Sequence, residues 1–181
     1  MLRWWLWTER LLAGLTSLSA VISGASMALL IALVFGNMAG RYVFGVGTTW
    51  LQELEMYVLA LTVMTSIAYA MRHDDHVRID IFYSQLSHTG RLWLDSLTML
   101  FIALPIAVLV LYYSWPYVQT SWARGERSPN AGGLPWRFLP KGMILVGFAL
   151  IFAEALRQAM SGFRRLFFHY RRPGQPVAPG S

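Results

Sequence analysis

The sequence predicts an all-α integral membrane protein with four transmembrane helices, both termini in the cytoplasm and an amphipathic element along the membrane interface. Hydrophobic residues make up 56% of the 181 residues and charged residues only 13%, about half of the charged fraction of a soluble domain. Uncharged residues gather in runs long enough to cross a bilayer, which takes about 20 apolar residues. The basic residues behind the net charge of +6 lie at the ends of these runs, which favours a membrane surface over nucleic acid.

The spans follow from the charge-free runs. No charge occurs between Leu11 and Gly40, so the first run exceeds the length that a helix needs to cross the hydrocarbon core. The second run is shorter and reaches membrane length when its helix begins near Trp50. The third contains Pro105 and Pro116, which are expected to kink the helix and which lipid-embedded helices tolerate. The four predicted spans are residues 11–36, 50–71, 96–122 and 139–160.

The fourth span is the weakest, because it reaches membrane length only as one helix that carries Glu154 and Arg157. The guanidinium of Arg157 can extend to the headgroups. Glu154 is expected to pair locally with Arg157, three residues on, and with Gln158, four residues on, which lowers the cost of inserting the charge. A proton or sodium role for Glu154 is the alternative.

The four spans form a single membrane domain, residues 1–172, with both ends on one side of the bilayer. Ten of the 15 Lys and Arg residues fall on that side. Basic residues are retained in the cytoplasm, so both termini are predicted to be cytoplasmic. The tail at 173–181 is rich in Pro and Gly and is predicted to be disordered.

The residue content argues against an enzyme. Cysteine is absent, which excludes disulfides, thiolate zinc sites, iron–sulfur clusters and cysteine nucleophiles. All four histidines fall outside the predicted spans, which argues against haem held between the helices. No Ser-His-Asp set, glycine-rich phosphate loop or H-E-x-x-H motif is present. We therefore expect no catalytic residue, no cofactor, no metal and no substrate-binding residue in this chain.

The segment at 72–80, between the second and third spans, contains two His and three Asp. Its spacing matches no standard metal site. A polar cytoplasmic turn is therefore the preferred interpretation, and a metal site is the alternative. The apolar residues that begin at Val77 indicate an amphipathic element along the interface that extends to Trp93.

The first span carries a small residue at every fourth position. Small residues spaced in this way let two helix backbones approach closely, which is how helices associate when lipid offers no hydrophobic driving force. We expect this small-residue ridge to receive either a helix of a partner protein or another helix of the same chain. The ridge consists of Ala20, Gly24, Ala28, Ala32, Gly36 and Gly40.

Two glutamates lie at the start of the second span. Glu53 and Glu55 are two residues apart, so they point about 200° from each other on a helix and do not form a carboxylate dyad. We expect Glu53 to have a structural role, paired with a base such as Arg41 on the same side of the membrane. Ion translocation is the alternative.

An ordered set of residues then resembles a known family. The first half contains Asn37, Arg41-Tyr42-Val43-Phe44-Gly45, Trp50, Glu53-Leu54, Tyr57, Ala68-Tyr69-Ala70, Arg72 and His76-Val77-Arg78-Ile79-Asp80. The second half adds Ser114-Trp115-Pro116-Tyr117-Val118, Ser121-Trp122, Gly132-Gly133-Leu134-Pro135 and Lys141. Together these strongly resemble the small membrane subunit of tripartite ATP-independent periplasmic (TRAP) transporters, and the resemblance covers nearly the whole chain.

The resemblance implies a system of the bacterial inner membrane in which a soluble periplasmic binding protein delivers an organic anion to a pair of membrane subunits. In such systems the large subunit binds the substrate and sodium and moves as an elevator, while the small subunit braces it. By this resemblance the chain would be the brace. Its partners would be the large permease subunit, the periplasmic binding protein and membrane lipids, and no nucleic acid.

The resemblance also implies which residues fix helix ends and the subunit interface. They are Arg41, Trp50, Glu53, Tyr57, Arg72, His76, Arg78 and Asp80. One position departs from the family's pattern, because Gln52 stands where the first of two acidic residues is common. The alternative to a scaffold subunit is a self-contained homo-oligomeric channel or exporter, in which Glu53 or Glu154 would carry ions.

Overall fold

The computed structural model describes residues 2–45, 47–72 and 87–171, and the regular secondary structure in this part of the chain is entirely helical. Four helical stretches are long and apolar enough to cross a membrane, which confirms the predicted all-α, four-span architecture. In chain order the elements are α1 (Leu2–Phe44), α2 (Thr49–Arg72), α3 (His88–Thr98), a π-helical segment (Met99–Ala103), α4 (Leu104–Ala123) and α5 (Phe138–Arg171).

Each span is longer than the uncharged run from which it was predicted. The four stretches are Thr8–Phe44, Thr49–Arg72, Thr89–Ala123 and Phe138–Phe167. Charged residues such as Glu9 and Arg91 therefore belong to the helices, at ends where long side chains can reach the headgroups and water. Trp93 lies in α3, at the start of the third span. The remainder of the predicted interfacial element, 77–86, and the tail at 173–181 lie outside the described residues.

A widened turn joins α3 to α4. The backbone N–H of Leu104 donates to the carbonyl of Met99, five residues earlier, which is the π-helical pattern. Pro105 follows at the beginning of α4, and it has no N–H to donate to the preceding turn. The wider turn absorbs that missing bond within one continuous span. Pro116 is likewise accommodated inside α4.

Helix α5 holds the bundle together. It packs against α1, α2, α3 and α4, whereas α1 packs mainly on α2. The tightest contacts use alanine, because Ala155 of α5, Ala68 of α2 and Ala107 of α4 are completely buried. Small side chains bring helix backbones close enough for extensive van der Waals contact, which is the main attraction available between helices in lipid.

The interior of the bundle is more polar than its surface. Large apolar side chains are exposed along all four spans, where lipid chains would contact them. Helices in a membrane gain nothing by hiding leucine from lipid, so buried positions go to small or hydrogen-bonding residues. The buried polar residues are Thr16, Ser19, Ser23, Ser26, Asn37, Glu53, Thr62, Thr65, Ser96, Ser121 and Glu154.

A polar seam joins α1 to α2. The hydroxyl of Ser23 donates to the carbonyl of Thr62 at 3.3 Å, and the hydroxyl of Thr62 donates to that of Ser26 at 2.9 Å. Nearer the end of α1, the amide of Asn37 donates to the carboxylate of Glu55 at 2.8 Å. These bonds fix the two antiparallel helices in register from the middle of the bundle to the turn between them.

Candidate subunit interface

A glycine cap ends α4 and fixes the direction in which the chain continues toward α5. Gly125 has φ +55°, a left-handed conformation that glycine adopts without strain. Its N–H donates to the carbonyl of Trp122 at 3.0 Å, and the N–H of Glu126 donates to the carbonyl of Ser121 at 3.1 Å. This pair of bonds is a Schellman cap, which ends a helix and satisfies its last carbonyls.

The carboxylate of Glu53 clamps this connection to α2. The hydroxyl of Ser128 donates to its Oε1. The side-chain amide of Asn130 donates to the same oxygen at 3.1 Å. The backbone N–H of Leu134 donates to its Oε2 at 2.6 Å, and Arg137 Nη2 lies 4.0 Å from Oε1. Only 6% of the Glu53 side chain is exposed. One helical side chain thus organises most of the loop; these contacts are called the Glu53 clamp below.

A second carboxylate fixes the loop to the start of α5. Glu126 accepts hydrogen bonds from Lys141 Nζ and, at 2.7 Å, from the hydroxyl of Ser121. The hydrogen bond from Lys141, followed by that from Ser121, lowers the pKa of the Glu126 carboxyl. The ammonium of Lys141 also lies 4.3 Å from the centroid of the Tyr117 ring, a cation–π distance. The loop is therefore attached at both of its ends.

The Glu53 clamp was not predicted. Its donors lie 75 to 81 residues from Glu53 in the sequence, and no local pattern connects them. The turn residues around Asn130 and Gly133 indicate a bend but not its partner. A Cβ added to Gly133 would lie 2.8 Å from Glu53 Oε1, so the loop backbone approaches the carboxylate as closely as only glycine permits.

The basic partner predicted for Glu53, a base such as Arg41, is Arg137 of the α4–α5 loop, and the choice of Arg41 is wrong. Arg41 lies at the end of α1 and turns toward the α1–α2 connection, where its Nε would be 3.4 Å from a Cβ on Gly47. Glu53, one turn into α2, faces the loop before α5.

The other predicted interface residues are dispersed. Trp50 is 46% exposed at the start of α2. The hydroxyl of Tyr57 is buried and has no hydrogen-bond partner within the described part of the chain; it shares a cavity of about 310 Å³ with Glu53 and Lys141. Arg72, at the far end of α2, donates through Nη1 to Ala13 O at 2.8 Å and to the Ser17 hydroxyl at 2.7 Å.

The remaining predicted positions fall in the segment that follows α2. His76, Arg78 and Asp80 lie outside the described residues, as does most of the segment considered for a metal. Across residues 2–45, 47–72 and 87–171, no group of three or more His, Asp or Glu residues is arranged to hold a metal ion.

The local pairing predicted for Glu154 is confirmed and extends across helices. Its carboxylate accepts from Arg157 at 2.5 to 3.1 Å and from Gln158 at 3.1 Å. Thr16 of α1 donates to it at 2.9 Å, and Gln158 also donates to the carbonyl of Met71 in α2 at 2.7 Å. Glu154 is completely buried, and its network joins three helices.

The middle of the small-residue ridge of α1 is open in the part of the chain that the structure describes. Gly24, Ala28, Ala32 and Gly36 are exposed, and a Cβ added to either glycine would meet no atom within 4 Å. The buried stripe of α1 is instead the row of hydroxyl residues that faces α2 and α5. Ala20 and Gly40, at the two ends of the ridge, are half-buried. Packing of the ridge on a partner helix and packing of it within the same chain both stay predictions.

A family model described as "Tripartite ATP-independent periplasmic transporters, DctQ component" matches residues 30–165. The chain belongs to this DctQ family. A comparison with curated proteins gave no match. The DctQ match runs from the middle of α1 to near the end of α5, so it includes the Glu53 clamp, most of the Glu154 network and the second half of the ridge.

Membership in the DctQ family establishes which kind of protein this chain is. It is a small membrane subunit of a TRAP transporter and not an enzyme, since DctQ is a transporter component. The tripartite system implies association with a large permease subunit and a periplasmic binding protein. Four helices able to span a membrane agree with a multi-pass membrane protein.

Proposed function

We propose that this chain is the scaffold subunit of a sodium-coupled TRAP transporter in the bacterial inner membrane, with both termini in the cytoplasm. It braces the large elevator-type subunit for uptake of organic anions that a periplasmic binding protein delivers. The observation that carries this proposal is the exposed middle of the small-residue ridge of α1, at Gly24, Ala28, Ala32 and Gly36, on a bundle whose buried carboxylates already have partners.

The paired carboxylates support a static role. A subunit that relayed ions through its own interior would need a carboxylate able to exchange its partners. Glu154 instead accepts from Thr16, Arg157 and Gln158, and Glu53 accepts from three donors of one loop. Both carboxylates hold helices or loops in place, as a brace requires.

The ridge supports a protein partner in the membrane. Gly24 and Gly36 are open to close approach, and a small residue at every fourth position is the pattern by which transmembrane helices pack against one another. Lipid chains alone gain little from such a groove. The α1 face therefore fits a helix of the large subunit.

The test is assembly of the two membrane subunits after one ridge position is filled. Gly24→Leu places a bulky side chain on the ridge, whereas Ala25→Leu places it about 100° around the same helix, at a position that is also exposed. We expect Gly24→Leu to lower the yield of the complex with the large subunit at least fivefold, and Ala25→Leu to leave it unchanged. Native mass spectrometry of the co-expressed, detergent-purified subunits measures this yield.

Two results would contradict the proposal. The first is an equal yield of complex from Gly24→Leu, Ala25→Leu and the unmodified chain, because the ridge would then not be the contact. The second is a homo-oligomer that forms regardless of the large subunit, which would support the self-contained channel instead.

A further inference from the structure

A basic cavity lies at the end of the bundle where α2 ends. It has a volume of about 170 Å³ and is lined by residues of α2, α3 and α5, including Arg72, Arg157 and Arg165 together with Asp95 and Leu92. One water molecule takes up about 30 Å³ of liquid volume, so the cavity has room for a small polar group. By the positive-inside rule this end of the bundle is the predicted cytoplasmic end.

The charges around the cavity do not cancel. Arg157 is compensated by Glu154, which accepts its bonds at 2.5 to 3.1 Å. Within the described residues, Arg72 donates to two uncharged groups of α1. Arg165 is exposed and, among the described residues, takes part in no ion pair. Among the described residues that line the cavity, Asp95 is the acidic one, so two guanidinium groups face one carboxylate there.

The remaining walls suit a lipid. Leu92 and Met99 supply apolar surface beside the guanidinium groups. Trp93 packs edge-on against Phe163, with ring centroids 6.1 Å apart, and tryptophan concentrates at the level of the headgroups. Because tryptophan concentrates at that level, we expect the cavity to lie where phosphate and glycerol meet the acyl chains.

We propose that this cavity binds the phosphate of an anionic phospholipid headgroup. Guanidinium groups bind phosphate through paired, charge-assisted hydrogen bonds, and basic pockets between membrane helices are suited to acidic headgroups. Arg165 is the principal ligand, since it is exposed and forms no ion pair with another described residue, and Arg72 is the second. A bound phosphate would contact residues of α2, α3 and α5, the three helices that line the cavity. This inference is independent of the proposed scaffold role.

The experiment uses the full chain in the complex purified from the membrane, delipidated and titrated with phosphatidylglycerol, phosphatidylcholine or inorganic phosphate. Native mass spectrometry counts the bound molecules. We expect phosphatidylglycerol to be retained at least fivefold better than phosphatidylcholine. Arg165→Gln should weaken that retention about tenfold, as expected for the loss of one charge-assisted contact. Arg124→Gln is the matched control, because Arg124 is exposed at the opposite end of the bundle.

Three outcomes would overturn the proposal. Equal retention of the two lipids would remove the charge preference, and this measurement needs no variant. Equal loss of phosphatidylglycerol in Arg165→Gln and Arg124→Gln would show a general effect of surface charge rather than a site. Saturation by inorganic phosphate that displaces the lipid would assign the cavity to a free anion. Thermal unfolding of both variants without added lipid checks that each one is folded.

Discussion

At the scale of single residues, Glu53 has the largest structural role. Its carboxylate accepts bonds from Ser128, Asn130 and Leu134. Glu53→Gln removes the charge and turns one acceptor oxygen into a donor that faces other donors, so part of the loop loses its partner. We expect the thermal unfolding temperature of the purified protein to fall by several degrees. Gln52→Ala, at an exposed neighbouring position, should leave it unchanged, and equal temperatures for the two variants would contradict a clamp.

For Tyr57 we expect a substitution to cause no loss of stability, in contrast to Glu53. Its hydroxyl is buried without a hydrogen-bond partner in the described part of the chain, so the hydroxyl contributes desolvation cost and no bond. Tyr57→Phe removes only that group. The free energy of unfolding should stay within about 0.5 kcal/mol of the original or rise. Chemical denaturation in detergent measures it, and a clear loss of stability would mean that the hydroxyl has a partner.

Single residues also show where sequence reasoning reaches its limit. The pairing of Glu154 with Arg157 and Gln158 could be predicted, because residues three and four apart meet on a helix. The partners of Glu53 could not, because only the folded bundle brings a loop more than 70 residues away onto α2. Arg41 lies nearer in sequence, but its side chain lies by Gly47 in the α1–α2 connection.

At the scale of elements, the α4–α5 loop depends on the close approach of its backbone at Gly133 to the carboxylate of Glu53. A Cβ on Gly133 would lie 2.8 Å from Glu53 Oε1 and closer still to Ser128, so Gly133→Ala should open the Glu53 clamp. A Cβ added to Gly142, in α5, would have no atom within 4 Å. Alanine there should also stabilise the helix, because alanine favours a helix by about 1 kcal/mol over glycine. We therefore expect limited proteolysis to cut the loop faster in Gly133→Ala and not in Gly142→Ala. Equal cleavage rates would show that the loop has other sufficient contacts.

The contact between α5 and α1 depends on the buried Glu154 pair. Glu154→Leu leaves the half-buried guanidinium of Arg157 without its acceptor, whereas Gln158 keeps the carbonyl of Met71, so the substitution should cost about 2 kcal/mol of unfolding free energy. Replacing Arg157 by Leu as well removes the unpaired charge, so the double variant should recover much of that loss. Denaturant unfolding of the two single variants and the double variant forms the cycle. Additive losses would mean that the pair is not coupled.

The elements themselves were largely predictable, because each charge-free run marks an apolar helix and lipid leaves the backbone few other solutions. The ends of the helices were harder to predict. Charged side chains such as that of Arg91 can continue a helix into the headgroup layer. The π-helical turn before Pro105 was also not predicted, since a proline predicts a kink without specifying how the preceding turn compensates for it.

At the scale of the whole molecule, the exposed ridge and the partnered buried carboxylates distinguish a brace from a channel. A brace conducts nothing by itself, whereas a self-contained channel would pass ions through Glu53 or Glu154. Liposomes that contain this chain alone should therefore take up radioactive sodium, and dissipate a pH gradient, no faster than empty liposomes, because each buried carboxylate is held by several donors. Flotation of the liposomes checks that the chain has been inserted. Sodium or proton flux that Glu154→Gln abolishes would reject the brace, and flux abolished only by Glu53→Gln would place the conducting path at the loop end of α2.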